Sequence, residues 1–587
     1  MKKNVIMIVL DSVTYENTLS NTGKTCPMPF LHSLMKKGIN ATKVYSEAPY
    51  TEAALVSLLC GDNTLDKTGH MKRNLNHKTL LETFEDNGYE IFSNAYQPAI
   101  YPSGQMHEFE NRFYNFPFLF SQEWDYRLKY FSEIKDLSND ELNLVVDILN
   151  DNFKAWLKYF KDIQSKSKSL DLIYDTLDLT DFDNSYNILK NEYNNFKKNK
   201  SSYAKKVLEL KNEHILAKIK NYEEMNRVNE SFKKNMQKKY MRFLKKVLYK
   251  NFWLNLKNNR LSFKTIKNFL KAKEYKKVIR YFINYLNALI DKDLLERLKL
   301  YDRVKMVPSL YKMLNHFLDW YDNRSDNRPV FAYIHAEDNH FPETFFTYDE
   351  ENEELLDQEF DEAKKYLSNI NGKYKGSIAY DLSLSYADNT LKRFFEKLDS
   401  KKMLDNTIIL ITADHGFSYY YNPIREQFVT NFYNETYHIP LAIYDKDLKP
   451  KCLDNFFMSK DIFPTLLDLV GLKVSSDIDS KSLLKFDGRD YALIEYMGGG
   501  CPDYYRRNLL IGLRNKKVSF VLSIPLNDFS KYKFITFFDL EKDPMEKNNL
   551  IYSEIDINMI QNELQIIERR FECIKKEIEI KYFSSFY

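Results

Sequence analysis

The chain has 587 residues, of which 29% are charged, and its formal net charge is +3. This length predicts two or three folding units rather than one core. The small net charge excludes a strong global field that would select a polyanionic partner, so the composition favours a globular protein that does not bind nucleic acid.

The chain begins with a short apolar run, "MKKNVIMIVL", which is followed at once by Asp11. Because no small-residue cleavage site follows it, this run predicts a buried strand and not a signal peptide. No apolar run is long enough to span a bilayer. The five cysteines are scattered without paired spacing, as is typical of free thiols in a reducing compartment. We therefore expect a cytoplasmic protein.

Residues 1–119 alternate between strand and helix patterns. The run "NVIMIVL" is typical of a central parallel strand that is covered on both faces. Further strands are expected at "ATKVYSEAP" and "EIFSNAY", and helices at "PFLHSLMKKG", "TEAALVSLLCG" and "TLLETFEDNGY". This alternation predicts a layered α/β domain with a parallel sheet.

Residues 120–325 contain almost no Gly or Pro and predict a large helical insertion. Residues 242–280 hold thirteen basic residues and one acid, Glu274, interleaved with aromatic and aliphatic side chains. The simplest interpretation is a solvated helix face with its aromatics packed inward. The alternative is peripheral contact with the inner face of a membrane, where Lys and Arg attract anionic lipid and Trp253 enters the interface. Nucleic acid is not expected, because no groove-reading motif accompanies the charge.

The α/β pattern resumes over residues 326–487, so that 1–119 and 326–487 together predict one catalytic domain. Its expected strands and helices are "RPVFAYIHAEDNHF", "SIAYDLSLSYADNTLKRFFEKL", "NTIILITADHG", "HIPLAIYD" and "SKDIFPTLLDLVGL". Residues 488–587 predict a smaller α+β subdomain. It would hold a small antiparallel sheet from "DYALIEYM", "KVSFVLSI" and "FITFFDL", and a closing helix from about Asp556 to Ile580.

Acidic and imidazole side chains follow three of the predicted strands. Because the carboxyl ends of parallel strands share one edge, these side chains are expected to converge there. Carboxylate oxygens and imidazole nitrogens together suit a divalent metal ion. The residues concerned are Asp11, His335, Asp338, His340, Asp414 and His415.

Thr51 stands where a short apolar helix is expected to begin, and two compatible interpretations follow. Thr is a common N-cap, since its oxygen accepts from the first free amides. Alternatively, the helix amides and a nearby metal would both favour negative charge on the hydroxyl. They would lower its pKa and steady a phosphate or sulfate group.

The ordered set of motifs resembles the alkaline phosphatase/sulfatase superfamily, in its sulfatase-like branch, over most of the chain outside the insertion. The implied fold is a layered α/β sheet with helices on both faces, a large helical insertion, and a small C-terminal antiparallel sheet plus helix. The motifs are the metal-binding strand "NVIMIVLDS", the nucleophile segment "CPMPFLHSLMKKGINATKVYSEAPYTEAALVSLLCG", the second metal motif "LDNTIILITADHG", the following elements "HIPLAIY" and "DIFPTLLDLVGL", and the C-terminal signature "FFDLEKDPMEKNNL".

The resemblance implies one divalent metal ion, with Thr51 as both nucleophile and ligand beside Asp11, Asp414 and His415. Zn²⁺ or Mn²⁺ is expected, because imidazole among the ligands argues against Ca²⁺; Mg²⁺ and Ca²⁺ stay open as alternatives. Further catalytic candidates follow from the family positions. They are His340, which would contact the transferred group or protonate the leaving group, His335, which is a weaker candidate, and His438 and Arg425, which fall near a basic residue that faces the site.

Thr51 departs from the sulfatase pattern, in which a Cys or Ser within a Cys-x-Pro-x-Arg frame is converted to formylglycine. A Thr nucleophile with an Asp-His metal pair resembles instead phosphoethanolamine and phosphoglycerol transferases. We therefore expect a metal-dependent phosphotransferase that moves a phosphorus-containing group from a phosphodiester donor, such as a phospholipid, onto a glycan or its precursor. The alternatives are a phosphodiester, phosphonate monoester or sulfate ester hydrolase on the same site, and a non-catalytic binding scaffold.

Overall fold

The computed structural model describes residues 2–19, 26–66, 78–93, 309–325, 327–340, 378–417, 433–474, 478–496, 508–552 and 555–578, with parts of 131–289 and 358–368. The helices of this part are α1 (Pro29–Lys37), α2 (Thr51–Cys60), α3 (Leu80–Asp86), α4 (Leu179–Lys198), α5 (Lys200–Glu209), α6 (Phe263–Lys271), α7 (Tyr275–Leu289), α8 (Leu310–Asn323), α9 (Ile378–Ser400), α10 (Asn434–Tyr437), α11 (Ile462–Leu469) and α12 (Gln561–Ile578). The strands are β1 (Asn4–Leu10), β2 (Ile39–Tyr45), β3 (Glu90–Ser93), β4 (Val330–Ala336), β5 (Thr407–Thr412), β6 (His438–Ile439), β7 (Leu441–Tyr444), β8 (Lys451–Met458), β9 (Ala492–Tyr496), β10 (Leu509–Arg514), β11 (Val518–Ile524) and β12 (Lys533–Asp539).

The main sheet is built around β1, which lies between β4 and β5 and runs parallel to both. In its register, Val9 pairs with His335 on one side and with Thr412 on the other. Strand β3 extends this parallel set beside β4. The three central strands therefore end at the same level, which brings the residues that follow them to one edge.

The remaining part of the main sheet is mixed, whereas the sequence pattern predicted a parallel sheet. Strand β7 runs antiparallel to β5. Strands β6 and β7 pair antiparallel with β2, and β8 pairs parallel with it. Strand β8 was not predicted, since its first five residues are exposed or half-buried and carry no apolar alternation.

Helices cover the main sheet on both faces, as predicted. Every residue of β1, β4 and β5 is buried, which requires apolar layers above and below. Helices α1, α8 and α9 pack together as one layer, and α2, α3 and α11 pack together as another. The predicted layered α/β fold is thus confirmed.

The C-terminal residues form a separate four-stranded antiparallel sheet in the order β12–β11–β10–β9, with α12 packed against β10. Three of its strands match the predicted ones. Strand β10, "LLIGLR", was missed by the sequence analysis. Leu65, which follows α2, is buried in the core of this second sheet, so the segment carrying Thr51 is in contact with both sheets.

The described residues between 120 and 325 are predominantly helical, in line with the predicted insertion. Some of them share a small aromatic cluster in which Phe153 packs on Tyr193, Phe196 and Tyr203. Helix α8 also falls in this range but packs in the core of the main sheet, against β4 and α9. The predicted domain boundaries stay predictions. No helix in the described part of the chain combines the length and apolar character needed to cross a membrane.

Candidate active site

The shared edge of the main sheet brings Asp11, Asp414 and His415 together. Each contributes one ligand-type atom to a group in which all the atoms lie within 4.8 Å of one another, and all three residues are buried. Asp11 follows β1 and the other two follow β5, so the parallel register of these strands places them side by side. This group is defined here as the acid–imidazole cluster.

Ser12 orients both carboxylates of the cluster. Its hydroxyl donates to Oδ1 of Asp11 at 2.6 Å and its backbone N–H donates to Oδ1 of Asp414 at 3.2 Å. To do so it adopts a φ of +64°, a left-handed conformation that a residue with a side chain rarely takes. The Tyr380 hydroxyl donates to the Ser12 carbonyl at 2.5 Å and supports this conformation.

His415 presents a nitrogen lone pair to the cluster. Its Nδ1 lies 2.8 Å from the carbonyl of Gly416 and must donate to it, because a carbonyl only accepts. In the neutral form of the ring, Nε2, which lies 3.5 Å from Oδ2 of Asp414, is therefore the nitrogen that carries the lone pair. Burial lowers the pKa of His415, but the charges of Asp414 and Asp11 and the bond to Gly416 raise it more, and its pKa is raised overall.

Gly416 is required by the packing behind His415. A Cβ at this position would lie 2.0 Å from the carbonyl oxygen of Glu435 and 2.8 Å from Oγ1 of Thr14. The backbone N–H of Gly416 donates to the carbonyl of Thr436 at 3.0 Å. This close approach holds the Asp414-His415 turn against the segment at α10.

Thr51 is the first residue of α2, and Tyr50 holds the cap position. The Thr51 hydroxyl donates to Oδ2 of Asp11 at 3.3 Å and lies 3.3 Å from Nε2 of His415. Thr51 thus faces the acid–imidazole cluster rather than capping its own helix. The side chain is buried, at 8% exposure.

His340 lies in the turn that follows β4, which is closed by a bond from its N–H to the carbonyl of Glu337 at 3.2 Å. Burial raises the pKa of Asp11, and the charge of His340 is the largest of the influences that oppose it, ahead of His415 and His335. The net effect is a lowered pKa for Asp11. The half-buried His340 is therefore close enough to the cluster to act on it electrostatically.

His335 is buried at the edge of the cluster, with Nε2 3.8 Å from Oδ2 of Asp11 and 3.7 Å from Oδ2 of Asp414. Its Nδ1 lies 3.3 Å from the Tyr333 hydroxyl. The structure therefore brings this weaker sequence candidate to the same carboxylates as His415.

The cluster has the properties of a cation site. Within the described residues, Oδ2 of Asp414 and Nε2 of His335 are buried without a hydrogen-bond partner. Burial and the negative charges of Asp11, Asp414 and Asp338 hold the pKa of Glu337 well above its usual range. A divalent cation would offset this concentration of buried negative charge. Carboxylate and imidazole donors fit such an ion.

The structure pairs His438 with Glu16 instead of with a residue of the acid–imidazole cluster. Its Nδ1 is 2.7 Å from Oε1 of Glu16, and its Nε2 is 2.7 Å from the carbonyl of Thr42. A role in proton transfer would require His438 to exchange one of these partners, and that role stays a prediction. Arg425 lies outside the described residues, and its role stays a prediction as well.

The contacts of Ser12 and Tyr380 were not predicted from the sequence, and Asp338 was predicted at the sheet edge without a role. Ser12 had one signal, its position directly after Asp11 at a strand end. Asp338 accepts a bond from the N–H of Leu310 at 2.7 Å and so holds the start of α8 beside the turn that carries His340. Tyr380 bonds to Ser12, from which it is separated by 368 positions in the chain, and no local pattern indicates such a contact.

Comparison with known proteins decides the family. The family model described as Sulfatase matches residues 3–168 and 231–472, which is more than half of the chain. The chain belongs to the sulfatase family. This confirms the predicted alkaline phosphatase/sulfatase superfamily and supports the prediction of an enzyme.

Two curated relatives show how far the similarity extends. An arylsulfatase of Clostridium perfringens is 31% identical over 203 residues, which is 32% of this chain and 38% of that protein. The lipoteichoic acid synthase-like protein YvgJ of Bacillus subtilis is 27% identical over 193 residues, 31% of this chain and 29% of that protein. The chain thus spans well under half the length of these two relatives.

Among solved structures, the phosphonate monoester hydrolase of Agrobacterium radiobacter aligns over 98% of this chain and 96% of its own, with 13% identity and a TM-score of 0.46.

Proposed function

We propose that the chain is a metal-dependent phosphotransferase in which Thr51 is the nucleophile. The observation that carries this proposal is the position of the Thr51 hydroxyl, 3.3 Å from both Oδ2 of Asp11 and Nε2 of His415. A hydroxyl at the first position of a helix, between two groups that suit a metal ion, has the surroundings of an activated nucleophile.

The ion in this proposal is Zn²⁺ or Mn²⁺, held by Asp11, Asp414, His415 and the Thr51 oxygen. Imidazole among the ligands favours these ions over Mg²⁺ and Ca²⁺. When bound, the ion would lower the pKa of the Thr51 hydroxyl, so that its proton is lost to water, and would neutralise charge on the phosphoryl oxygens. His335 lies at the same carboxylates and would orient them or add a nitrogen donor.

The protein residues account for the remaining chemistry. The Thr51 oxygen attacks the phosphorus of a phosphodiester, the bond from Oγ1 to phosphorus forms, and the bond to the donor alcohol breaks. His340 protonates that alcohol as it leaves. In the second half, an acceptor hydroxyl gives its proton to His340 and attacks the phospho-threonine, which releases Thr51. The free amides at the start of α2 steady the negative charge of the group in transfer.

Phosphorus chemistry is favoured over ordinary sulfatase chemistry by the residue type at position 51. Formylglycine is an aldehyde, and oxidation of a Thr hydroxyl would yield a ketone because its Cβ already carries a methyl group. The similarity to a relative named as lipoteichoic acid synthase-like supports a transferase. We place a phosphodiester, such as a phospholipid, as donor and a glycan or its precursor as acceptor, in the cytoplasm or at the inner membrane face.

The test uses the metal-loaded chain with aryl phosphodiester, aryl phosphate and aryl sulfate esters, followed by intact mass spectrometry. We expect release of the aryl alcohol from the phosphodiester and a covalent phosphoryl adduct on Thr51. Thr51→Ala should abolish both while it retains the ion. Turnover of the sulfate ester alone, or activity that survives in Thr51→Ala, would contradict the proposal.

The same experiment separates transfer from hydrolysis, the second candidate function. A hydrolase releases aryl alcohol in many turnovers with water as acceptor. A transferase releases about one equivalent and stalls as phospho-Thr51 until an alcohol acceptor is added. Glycerol and a simple hexose serve as acceptor probes.

A further inference from the structure

Helix α7 exposes a continuous apolar stripe. Tyr275, Ile279, Phe282, Ile283 and Leu286 are 41–61% exposed, although their side chains are large and apolar. Their spacing, with intervals of four, three, one and three residues, places them on one face of the helix. Single exposed apolar residues are ordinary, but a stripe of five along one helix is typical of a surface that binds a partner or a membrane.

The residues that precede α7 in the chain also expose large apolar side chains. Of the fourteen large apolar side chains that are exposed in the described part of the chain, ten lie within residues 249–286. We define these ten as the apolar surface of the insertion. The ones outside α7 are Tyr249, Trp253, Leu256, Phe263 and Leu270.

This surface is additional to the contact that joins the two helices. Phe269 of α6 and Tyr281 of α7 are 5% and 2% exposed, and their ring centroids lie 6.3 Å apart. The helix pair therefore buries one set of aromatic residues between its members and presents a second set outward. The exposed set is not needed to hold α6 against α7.

Positive charge accompanies the apolar surface. Residues 242–280 contain thirteen basic residues and one acid, and the Lys side chains at 245, 246, 267, 271, 273 and 276 are exposed. A second copy of the chain would bring the same positive excess, so self-association through this face is opposed by charge. An anionic lipid surface offers both an apolar interior for the stripe and negative charge for the lysines.

We propose that the apolar surface of the insertion docks the protein on anionic phospholipid membranes. Helix α7 lies in the plane of the interface with its apolar stripe among the acyl chains, and the surrounding lysines contact the headgroups. This surface is independent of the proposed reaction, because it uses none of the residues at the acid–imidazole cluster.

The experiment is co-sedimentation of the full chain with vesicles of phosphatidylcholine alone and of phosphatidylcholine with about one third phosphatidylglycerol. We expect binding to the anionic vesicles that is at least about tenfold stronger than to the neutral ones and that weakens with salt. The double variant Ile279→Glu/Phe282→Glu should lose at least about tenfold in binding. Circular dichroism checks that it is folded.

The matched control is Met545→Glu/Met559→Glu, which makes the same change of charge at residues that are 62% and 73% exposed outside the insertion. It should bind anionic vesicles within about twofold of the unmodified chain, since it leaves the stripe intact. An equal loss in both double variants would overturn the proposal. So would a dimer in light scattering that Ile279→Glu/Phe282→Glu dissociates, together with no binding to vesicles. Turnover is not measured, so failure here leaves the proposed function untouched.

Discussion

The hydroxyl oxygen of Thr51 lies 3.3 Å from Nε2 of His415, although 364 residues separate them in the chain. Two elements create this contact. Helix α2 begins at Thr51, and β5 ends just before Asp414-His415 beside β1. Because His415 Nδ1 donates to the carbonyl of Gly416, the nitrogen that faces Thr51 carries the lone pair when the ring is neutral.

Replacement of Thr51 should show whether its hydroxyl is the nucleophile or whether the residue has only a structural role. With glycerol present as acceptor, we expect Thr51→Ala to lower kcat for an aryl phosphodiester by at least about a thousandfold, because no oxygen remains to attack phosphorus. Thr51→Ser keeps the oxygen and should retain measurable turnover. Steady-state kinetics and thermal unfolding of both variants check this. Equal activity in Thr51→Ala and Thr51→Ser would remove Thr51 from the mechanism.

Removal of a cluster residue should abolish metal binding. Asp414→Asn leaves one carbonyl oxygen where a charged oxygen was, and His415→Ala removes the only nitrogen of the three-residue cluster. After dialysis, elemental analysis of the unmodified chain should give about one divalent ion per chain, and both variants should fall well below that. His32→Ala, at a half-buried position on α1, is the control. Unchanged metal content in Asp414→Asn would place the ion elsewhere.

The elements that position the site could be predicted because their patterns are local. Strands β1 and β5 are continuous apolar runs that end in Asp11 and at Asp414, and a parallel sheet puts such ends together. Strands β8 and β10 were missed. Most of β8 is exposed or half-buried, and β10 contains Gly512, so neither shows the usual pattern.

The geometry around the carboxylates could not be predicted in the same way. Ser12 bonds to both Asp11 and Asp414 only because its backbone is left-handed. A serine at this position does not indicate that conformation. Tyr380 reaches it from α9, and this contact exists only once the layers have packed. Long-range contacts of this kind depend on the fold as a whole.

A side chain at Gly416 should destabilise the protein. Gly416→Ala places a Cβ 2.0 Å from the Glu435 carbonyl, a backbone atom that cannot yield without moving α10. We expect a loss of about 1–3 kcal/mol and weaker metal binding through displacement of His415. Gly88→Ala is the control, because its Cβ would meet no atom within 4 Å and only its positive φ is strained. Equal unfolding temperatures for these two variants would contradict this assignment.

Arg570 of α12 joins strand β9 of the C-terminal sheet to the segment that follows α2. Its Nε and Nη2 donate to the Glu495 carboxylate at 2.6 and 2.7 Å, and its Nη1 lies 2.7 Å from Asp66. Glu495 also accepts from the N–H of Leu65 at 2.9 Å. Arg570→Met leaves a buried carboxylate unpaired and should cost about 3–5 kcal/mol.

The neighbouring variant Arg569→Met removes the same charge from an exposed position on the same helix and should change stability by less than about 0.5 kcal/mol. Chemical denaturation of both variants makes the comparison. Similar losses would mean that the helix as a whole, and not the Arg570 contacts, determines the effect.

Glu47, in the loop before α2, should make stability depend on pH. Burial, together with the charges of Glu495 and Asp66, raises its pKa from 4.5 to about 8, even though Lys460 opposes the shift. Between these values the folded chain retains a proton that the unfolded chain has released, so stability falls as pH rises, with a slope approaching about −1.4 kcal/mol per pH unit. Glu47→Gln keeps an acceptor for the N–H of Thr64 and removes the titration. The unfolding temperature of Glu47→Gln, relative to that of the unmodified chain, should therefore rise from pH 5 to pH 8. If the unfolding temperatures of the two proteins changed in parallel with pH, Glu47 would be ionised in the folded protein.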